Sequence, residues 1–327
     1  MTKRSRWILL LLVFILHPSS FILSAAPLVL QSDFGTKDGA VAAMKGVAVG
    51  VEPELKIYDL THEIPAFNVW EGAYRLWQTA PYWPAGTVFV SVVDPGVGTA
   101  RKSVVARAKN GQYFVTPDNG TLTLIAEHLG LDAVREIDEK TNRRPGSEES
   151  YTFHGRDVYA YTGARLAAGV ITFKEVGPEL DAAKIVAIPY ARAKASANLH
   201  VEGGIPVLDP QYGNVWTNID LYTIGRLVHG KLRPGQTFDV AVIHLGAQYL
   251  KARAEGKAWE GPRGERVFNG WMKYANSFGD VPVGEPLLYL NSLMQVSFAL
   301  NQGNFAAVHH VGSGPEWEVV INRVIFD

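Results

Sequence analysis

The sequence contains no cysteine and carries almost no net charge. Without cysteine there can be no disulfide bridge, thiolate zinc site, iron–sulfur cluster or cysteine nucleophile. A formal net charge of −1 gives no sign of the basic face that nucleic-acid binding requires, so we expect no nucleic acid among the partners. The share of apolar residues, 47%, is typical of a globular protein with a sizeable core.

Long apolar runs are absent except near the N-terminus. Residues 3–6 are mostly basic, residues 7–16 are all apolar, and small residues occupy positions 24–26. This order is typical of a secretion signal with its cleavage site, and His17 interrupts the apolar run short of the roughly 20 residues that a membrane helix needs. We therefore predict a signal peptide at residues 1–26 and export to the periplasm or the medium; an uncleaved anchor is the alternative.

The first half of the remaining chain has the alternating pattern of an α/β protein. Apolar runs at residues 28–32, 56–60 and 87–93 predict strands, and helical spacing at residues 38–51 and 69–79 predicts helices between them. Strand and helix in alternation imply a parallel sheet. We therefore predict an N-terminal parallel-sheet α/β domain, whose ligands bind beyond the carboxyl ends of its strands.

The second half of the chain has a different residue pattern. Short β-rich stretches separated by Gly, Pro and Asn lie at residues 215–219, 237–244, 286–290 and 319–326. Many short strands of this kind predict a small β-barrel or sandwich. We place the α/β domain at residues 27–190, a linker at 191–197, and a smaller C-terminal β-barrel domain at 198–327.

Acidic side chains follow each of the three predicted N-terminal strands. Asp33 follows the first, Asp59 ends the second together with His62, and Asp94 follows the third. Each alone fits a turn or a helix cap. Because the carboxyl ends of parallel strands share one edge of the sheet, the three together favour a ligand site there.

The loop Asp94-Pro95-Gly96-Val97-Gly98 is the strongest single candidate. Its glycines let backbone amides approach a ligand, and Arg101 places a fixed cation near the carboxylate of Asp94. A tight turn with a surface salt bridge remains the alternative. A phosphate-binding loop is a third interpretation, although neither glycine pattern of such loops is present.

Two further segments carry polar groups. His154 lies in a loop before a predicted helix, where a packed or solvated side chain is the alternative to a catalytic one. Residues 209–219 combine Asp209, Asn214 and Trp216, which could bind a flat heterocycle by stacking and hydrogen bonds. The alternative is a hairpin turn with a core tryptophan.

Together these segments resemble the S-adenosylmethionine hydroxide adenosyltransferase family, whose relatives include the fluorinase and the chlorinase. The matching motifs are residues 32–35, 44–47, 59–65, 71–73, 92–98, 117–120, 152–157, 213–219 and 290–292. Each is short, but the ordered set is specific and spans almost the whole chain after the predicted signal. The resemblance implies an α/β domain followed by a β-barrel, and a homotrimer with the substrate between subunits. It also implies hydrolysis of S-adenosyl-L-methionine to adenosine and L-methionine, with no metal or other cofactor.

The resemblance also implies roles for individual residues. By the family pattern, the water is handled by Asp94, Arg101 and His154. Asp33 and Asp209 correspond to partners of the ribose hydroxyls and of the methionine ammonium. The remaining substrate-binding positions are Phe67 at the ribose, Asn214, Trp216 and Phe278 at the adenine, and Ser292.

The chemistry agrees with these residue types. Methionine leaves the ribose C5′ atom as a neutral thioether and needs no acid, whereas water is a weak nucleophile that a carboxylate and an imidazole can orient and partly deprotonate. A halogenase, one alternative, needs a halide pocket, and the Asp94 carboxylate would repel an anion there. The other alternative is an exported adenosine- or nucleoside-binding protein without turnover.

Overall fold

The computed structural model describes residues 25–196 and 200–324. Nearly all of the predicted signal peptide lies outside these residues. Within them, no helix is both long and apolar enough to cross a membrane. Two large sheets make up the fold, one with seven strands and one with nine, and the mixed α/β class predicted from the sequence is confirmed.

The first sheet and its helices come from the N-terminal part of the chain. Its strands are β1 (Leu28–Ser32), β2 (Ile57–Thr61), β3 (Val88–Val92), β4 (Ser103–Ala108), β5 (Tyr113–Pro117), β6 (Leu131–Glu136) and β7 (Glu179–Leu180). Its helices are α1 (Ala40–Val51), α2 (Val69–Thr79), α3 (Thr123–His128), α4 (Glu139–Asn142) and α5 (Tyr161–Ala167). A π-helical turn, Gly155–Ala160, leads directly into α5, and 3-10 turns lie at Ala80–Tyr82, Phe173–Val176 and Ala182–Lys184.

The strand order is β2-β1-β3-β5-β4-β6-β7. Strands β1, β2, β3 and β5 are parallel, as predicted, but β4, β6 and β7 pair with their neighbours in the antiparallel sense. The predicted parallel sheet is therefore confirmed for these four strands, and the remaining three make the sheet a mixed one. The physical reason is the short turn at Asn110-Gly111, where Gly111 has a φ of +84°. So short a connection permits only a hairpin, whose strands are antiparallel.

Both faces of the central strands are covered. Every residue of β1 and β3 is buried, with Met44 of α1 on one face and Leu76 of α2 on the other. Strands buried on both faces read as continuous apolar runs, which is why the sequence predicted them well. This packing fixes the carboxyl ends of β1 and β3 where Asp33 and Asp94 follow.

The second sheet is built from the rest of the chain. Its strands are β8 (Lys194–Ser196), β9 (His200–Ile205), β10 (Val207–Leu208), β11 (Val215–Asp220), β12 (Thr237–Leu245), β13 (Gly264–Tyr274), β14 (Pro286–Leu290), β15 (Gln295–Leu300) and β16 (Gly314–Arg323). Short helices are α6 (Leu221–Leu227), α7 (Ala247–Ala254) and α8 (Phe305–His309), with a 3-10 turn at Phe278–Asp280. The order is β10-β11-β15-β14-β13-β12-β16-β9-β8. Among the described residues its two edge strands do not pair with each other, so the ladder is open where the sequence predicted a barrel.

Candidate active site

Three side chains from two separate segments of the chain meet beyond the carboxyl end of β3. Arg101 binds both carboxylate oxygens of Asp94, from Nε to Oδ1 at 2.9 Å and from Nη2 to Oδ2 at 2.5 Å. The same Nη2 atom lies 2.8 Å from Nδ1 of His154. The side chains of Asp94 and Arg101 are only 5% and 11% exposed. The structure therefore brings together the three residues that, by the family resemblance, are expected to bind and activate the attacking water.

The glycine-rich loop shapes this arrangement. Gly98 has a φ of +76°, a left-handed conformation that favours glycine, and the Thr99 hydroxyl donates to the carbonyl of Gly96 at 2.7 Å. The chain thereby reverses and returns Arg101 to Asp94. The loop is thus a tight turn, as one interpretation held, but its ion pair is buried and not on the surface.

Electrostatics keep His154 neutral. Burial lowers the pKa of His154, and the nearby charges of Arg101 and Arg143 lower it further, against the opposing carboxylates of Glu139 and Asp94. Burial would also lower the pKa of Arg101, but its hydrogen bond to Asp94 and nearby negative groups raise it. At neutral pH the cluster thus holds a carboxylate, a guanidinium and an uncharged imidazole.

A second layer, which the sequence did not predict, supports Arg101. Its Nη1 atom donates to the hydroxyl of Ser103 at 2.9 Å, and that hydroxyl lies 3.1 Å from the hydroxyl of Tyr159. Burial raises the pKa of Tyr159, so its phenol stays protonated, 3.5 Å from Oδ2 of Asp94. No spacing signals these residues, because Ser103 begins a strand and Tyr159 lies in the π-helical turn.

A hydrogen-bonded chain runs behind Asp33. Ser32 Oγ lies 2.7 Å from Nδ1 of His62, whose Nε2 lies 3.0 Å from Oδ1 of Asp59. Lys45 binds the other oxygen of Asp59 at 2.6 Å. The Ser–His–Asp order resembles that of a hydrolase triad, but Ser32 is fully buried and has no access to a substrate. We therefore interpret the chain as structural.

The chain holds the turn that presents Asp33. The backbone amide of Phe34 donates to Ser32 Oγ at 3.3 Å, and that of Phe67 donates to Oδ2 of Asp33 at 2.8 Å. Phe67 has a φ of +68° and is 71% exposed. A non-glycine residue in this strained conformation is a hint of function. The predicted ribose-side residues, Asp33 and Phe67, are thus in direct contact.

The predicted substrate residues of the second half form a separate cluster. Asn214 donates to Asp209 at 3.2 Å, and Trp216 Nε1 donates to the hydroxyl of Tyr289 at 3.3 Å. The ring of Phe278 packs on Tyr289 with centroids 5.1 Å apart. Asn214 and Phe278 line an open cavity of about 720 Å³, within the usual size of ligand pockets. Ser292, also predicted as a substrate-binding residue, is exposed and follows Tyr289 by three residues in the sequence.

The two clusters do not meet within one chain. The N-terminal cluster consists of Asp33, Phe67, Asp94, Arg101 and His154; the C-terminal cluster consists of Asp209, Asn214, Trp216, Phe278 and Ser292. Among the described residues, no hydrogen bond, ion pair or ring contact joins a member of one cluster to a member of the other. Each cluster presents an exposed aromatic ring, Phe67 in the first and Phe278, 43% exposed, in the second.

Comparison with known proteins identifies the family of the chain. The SAM hydroxide adenosyltransferase N-terminal domain matches residues 28–177, and the C-terminal domain of the same family matches residues 237–318. A Salinispora tropica protein named (R)-S-adenosyl-L-methionine hydrolase is 35% identical over 291 residues, covering 88% of this chain and 95% of that protein. The chain belongs to the SAM hydroxide adenosyltransferase family. The resemblance inferred from the motifs is confirmed.

Other relatives of the chain with named activities fall into two groups. A Methanocaldococcus jannaschii protein, also named (R)-S-adenosyl-L-methionine hydrolase, is 41% identical over 194 residues, covering 58% of this chain and 65% of that protein. A protein from Actinopolyspora mzabensis named fluorinase is 27% identical, covering 87% and 93%. The crystal structure of an uncharacterized conserved protein from Thermotoga maritima superimposes with a TM-score of 0.77 at 31% identity, covering 90% of this chain and 100% of that one.

Proposed function

We propose that the protein hydrolyses S-adenosyl-L-methionine to adenosine and L-methionine by attack of water on the ribose C5′ atom. The observation that carries the proposal is the buried cluster of Asp94, Arg101 and His154 in a chain of this family. Because the relatives' names specify the (R) configuration at sulfur, the (R) epimer is the first substrate to test.

The geometry suits an attack by water. Both oxygens of Asp94 are held by Arg101. Oδ2 also lies 3.5 Å from the Tyr159 hydroxyl, whereas Oδ1 keeps a further lone pair that can accept from a water. Holding that water in line with the C5′–S bond supplies orientation, which can be worth about 7–11 kcal/mol of barrier. The leaving thioether is neutral and needs no proton.

The same carboxylate argues against halogenation. A halide in contact with Asp94 would lie beside a second anion in a site where that side chain is only 5% exposed. Like charges at such distances repel strongly where water is scarce. We therefore place this protein with the hydrolases of its family and not with the fluorinases.

The binding roles that we propose are those that the family resemblance implies. On the N-terminal side, Asp33 takes the ribose hydroxyls and Phe67 packs on the sugar. On the C-terminal side, Asp209 takes the methionine ammonium, while the adenine lies among Asn214, Trp216 and Phe278, and Ser292 contributes a polar contact. The reaction needs no metal or other cofactor, because a sulfonium already carries a good leaving group.

The family resemblance implies a homotrimer with the substrate between subunits, and we propose this assembly because the two clusters make no contact within one chain. The exposed rings of Phe67 and Phe278 then cover the substrate from opposite sides. We also propose that the second sheet closes as a barrel, since Gly204 of β9 donates to the Asn218 side chain of β11 at 2.8 Å.

The composite site has a direct test. Asp94→Ala subunits, which lack the carboxylate that handles the water, and Asp209→Ala subunits, assayed at substrate concentrations far below their raised KM, should each show little activity alone. The two are unfolded together and reassembled. In a ring of head-to-tail contacts, random mixing restores up to about a quarter of the wild-type activity. A site built within one chain would restore none. Sedimentation of the wild-type protein checks the trimer itself.

Export is also a proposal, resting on residues 1–26. Cell fractionation of the full-length protein, followed by mass measurement of the exported form, gives the location and the cleavage site. Recovery in the cytosol at full mass would contradict it.

The central experiment is product analysis. The purified protein is incubated with each epimer of S-adenosyl-L-methionine, with and without chloride, and products are separated by chromatography. Hydrolysis yields adenosine and methionine in equal amounts and is indifferent to chloride. A 5′-halogenated nucleoside would indicate a halogenase, and calorimetric binding of adenosine without turnover would indicate a binding protein.

A further inference from the structure

The side chains around His154 indicate which task each of Asp94, Arg101 and His154 performs. Arg101 and Arg143 both approach the ring, and arginine side chains can only donate hydrogen bonds. Arg101 Nη2 lies 2.8 Å from Nδ1 of His154, so Nδ1 must be the acceptor. A neutral imidazole then carries its proton on Nε2.

Arg143 lies on the other side of the ring. Its Nη1 atom is 3.5 Å from Nε2 of His154, too long for a good hydrogen bond. Arg143 is held there by Glu139 at 2.7 Å and by the carbonyl of Ser150 at 2.7 Å, and its guanidinium lies over the ring of Tyr151 at 4.5 Å. It is 8% exposed, so its charge is fixed and poorly screened.

These contacts leave His154 no free lone pair for a proton. The lone pair on Nδ1 already accepts from Arg101, and protonation there would place two N–H groups face to face. The resulting imidazolium would lie between two buried guanidiniums, with only Glu139 and Asp94 to offset them. The other titratable side chain packed against the ring is Tyr151, an edge-on neighbour at 6.0 Å.

We infer that His154 serves as a neutral hydrogen-bond acceptor that positions Arg101, that Arg143, itself held by Glu139, keeps the ring in that state, and that Asp94 alone takes the proton of the attacking water. The inference rests on the proposed hydrolysis and deepens it. As the C5′–O bond forms and the C5′–S bond breaks, the electron pair of the latter stays on sulfur. The attacking oxygen becomes positively charged and loses its proton to Asp94, which passes it to solvent. A proton on such an oxygen is acidic, so a carboxylate paired with Arg101 is basic enough.

The state of the ring can be measured without turnover. Histidine labelled with ¹⁵N gives separate Nδ1 and Nε2 shifts for His154, assigned by their loss in His154→Asn. We expect the tautomer with the proton on Nε2, still neutral at pH 6.5, where an unperturbed histidine is about half protonated. A proton on Nδ1, or an imidazolium at that pH, would overturn the inference.

Kinetics separate an acceptor from a base. The amide oxygen of Asn can take the place of Nδ1, so His154→Asn should turn over about tenfold faster than His154→Ala, the value of a hydrogen bond to a charged group. If His154 were the base, both variants would lose the same factor of about 10²–10⁴.

Replacing each of the two charged residues that flank His154 should shift the pH dependence of kcat, in opposite directions. Arg143→Met removes a cation and should move the acid limb of the kcat profile to higher pH, with recovery in Arg143→Lys. Glu139→Gln removes an anion and should move it to lower pH. Shifts in the same direction, or none, in folded variants would contradict the role of the pair. Should Arg143→Met fail to fold, Glu139→Gln alone decides. If the wild type shows no turnover while the ring is neutral, the proposed function fails and the assignment of His154 stands.

Discussion

The two halves of the proposed site differ in how firmly they are built. In the N-terminal cluster, Arg101 alone makes hydrogen bonds to three side chains, and Asp94 is almost fully buried. In the C-terminal cluster, Phe278 is 43% exposed, and the hydrogen bond between Asn214 and Asp209 is 3.2 Å long. Asp94, Arg101 and His154, here called the packed cluster, are thus tightly held, although Phe67 of the same half is 71% exposed; the C-terminal cluster is here called the open cluster.

The difference matches the work proposed for each half. A reaction whose barrier falls by orientation gains from groups fixed before the substrate arrives. A surface that must admit a large, flexible ligand has to stay open and gain order on binding. We therefore expect changes in the packed cluster to affect kcat and changes in the open cluster to affect KM.

The largest effect should come from Asp94→Asn. The amide keeps the size of the side chain but can neither accept a proton nor balance Arg101, so kcat should fall by about 10²–10⁴-fold, with KM little changed. Steady-state release of adenosine measures both. Asp132→Asn is the matched control, because Asp132 also pairs with an arginine, Arg107, but its side chain is 50% exposed. The kcat of this variant should be unaltered. An active Asp94→Asn enzyme would remove Asp94 from the chemistry.

The open cluster should respond differently. Phe278→Ala removes a stacking surface and should raise KM by about threefold to tenfold, equivalent to roughly 0.5–1.5 kcal/mol for an aromatic pair, with kcat nearly constant. Tyr58→Ala is its control: Tyr58 is equally exposed at 43% and likewise has a ring neighbour, Trp83, at 5.1 Å. A loss confined to kcat in Phe278→Ala would break the comparison.

The sequence predicted the elements whose burial makes a simple pattern. Helix α2 was predicted at its observed bounds, with Asn68 capping it at 3.0 Å, and the strands β1 and β3 followed from their apolar runs. It missed β13 (Gly264–Tyr274), where polar and apolar residues follow one another without regular alternation and much of the strand is exposed. An exposed strand of that composition differs little from a loop until its partners are known.

The candidate site was likewise predictable only where its residues lie close together in the sequence. Asp94 and Arg101 share one short loop, so their pairing could be inferred locally. Arg143 and Tyr159 reach the cluster through packing of α4 and the π-helical turn, which no periodicity encodes. The role of His62 was also hidden, because a histidine after a strand does not reveal that it bridges Ser32 and Asp59.

A smaller effect should follow from cutting that bridge. His62→Ala leaves the buried Ser32 hydroxyl without its hydrogen-bond partner, which should lower the free energy of unfolding by about 1–3 kcal/mol. Because the chain supports the turn that carries Asp33, KM should also rise. Urea unfolding and steady-state kinetics measure the two. His200→Ala is the control, since His200 pairs with Glu202 but is 29% exposed. If KM were constant, the chain would serve stability alone.

The smallest effect concerns stability against pH. The pKa of His154 is lowered in the fold, first by burial and then by Arg101 and Arg143 against the opposing carboxylates, so below about pH 6.5 the unfolded chain binds the proton more readily than the folded one. The free energy of unfolding should therefore fall as the pH drops from 6.5 towards 5. Asp59 affects stability over a lower pH range. Burial would raise the pKa of Asp59, but Lys45 and His62 lower it overall, so its contribution to the free energy of unfolding is lost only below about pH 4. Urea unfolding at pH 5, 6 and 7 of the wild type and His154→Asn isolates the histidine, because the variant should lose part of the slope. An identical slope would mean that the packed cluster tolerates a charged His154, and the contrast with the open cluster would then rest on Asp94 and Arg101 alone.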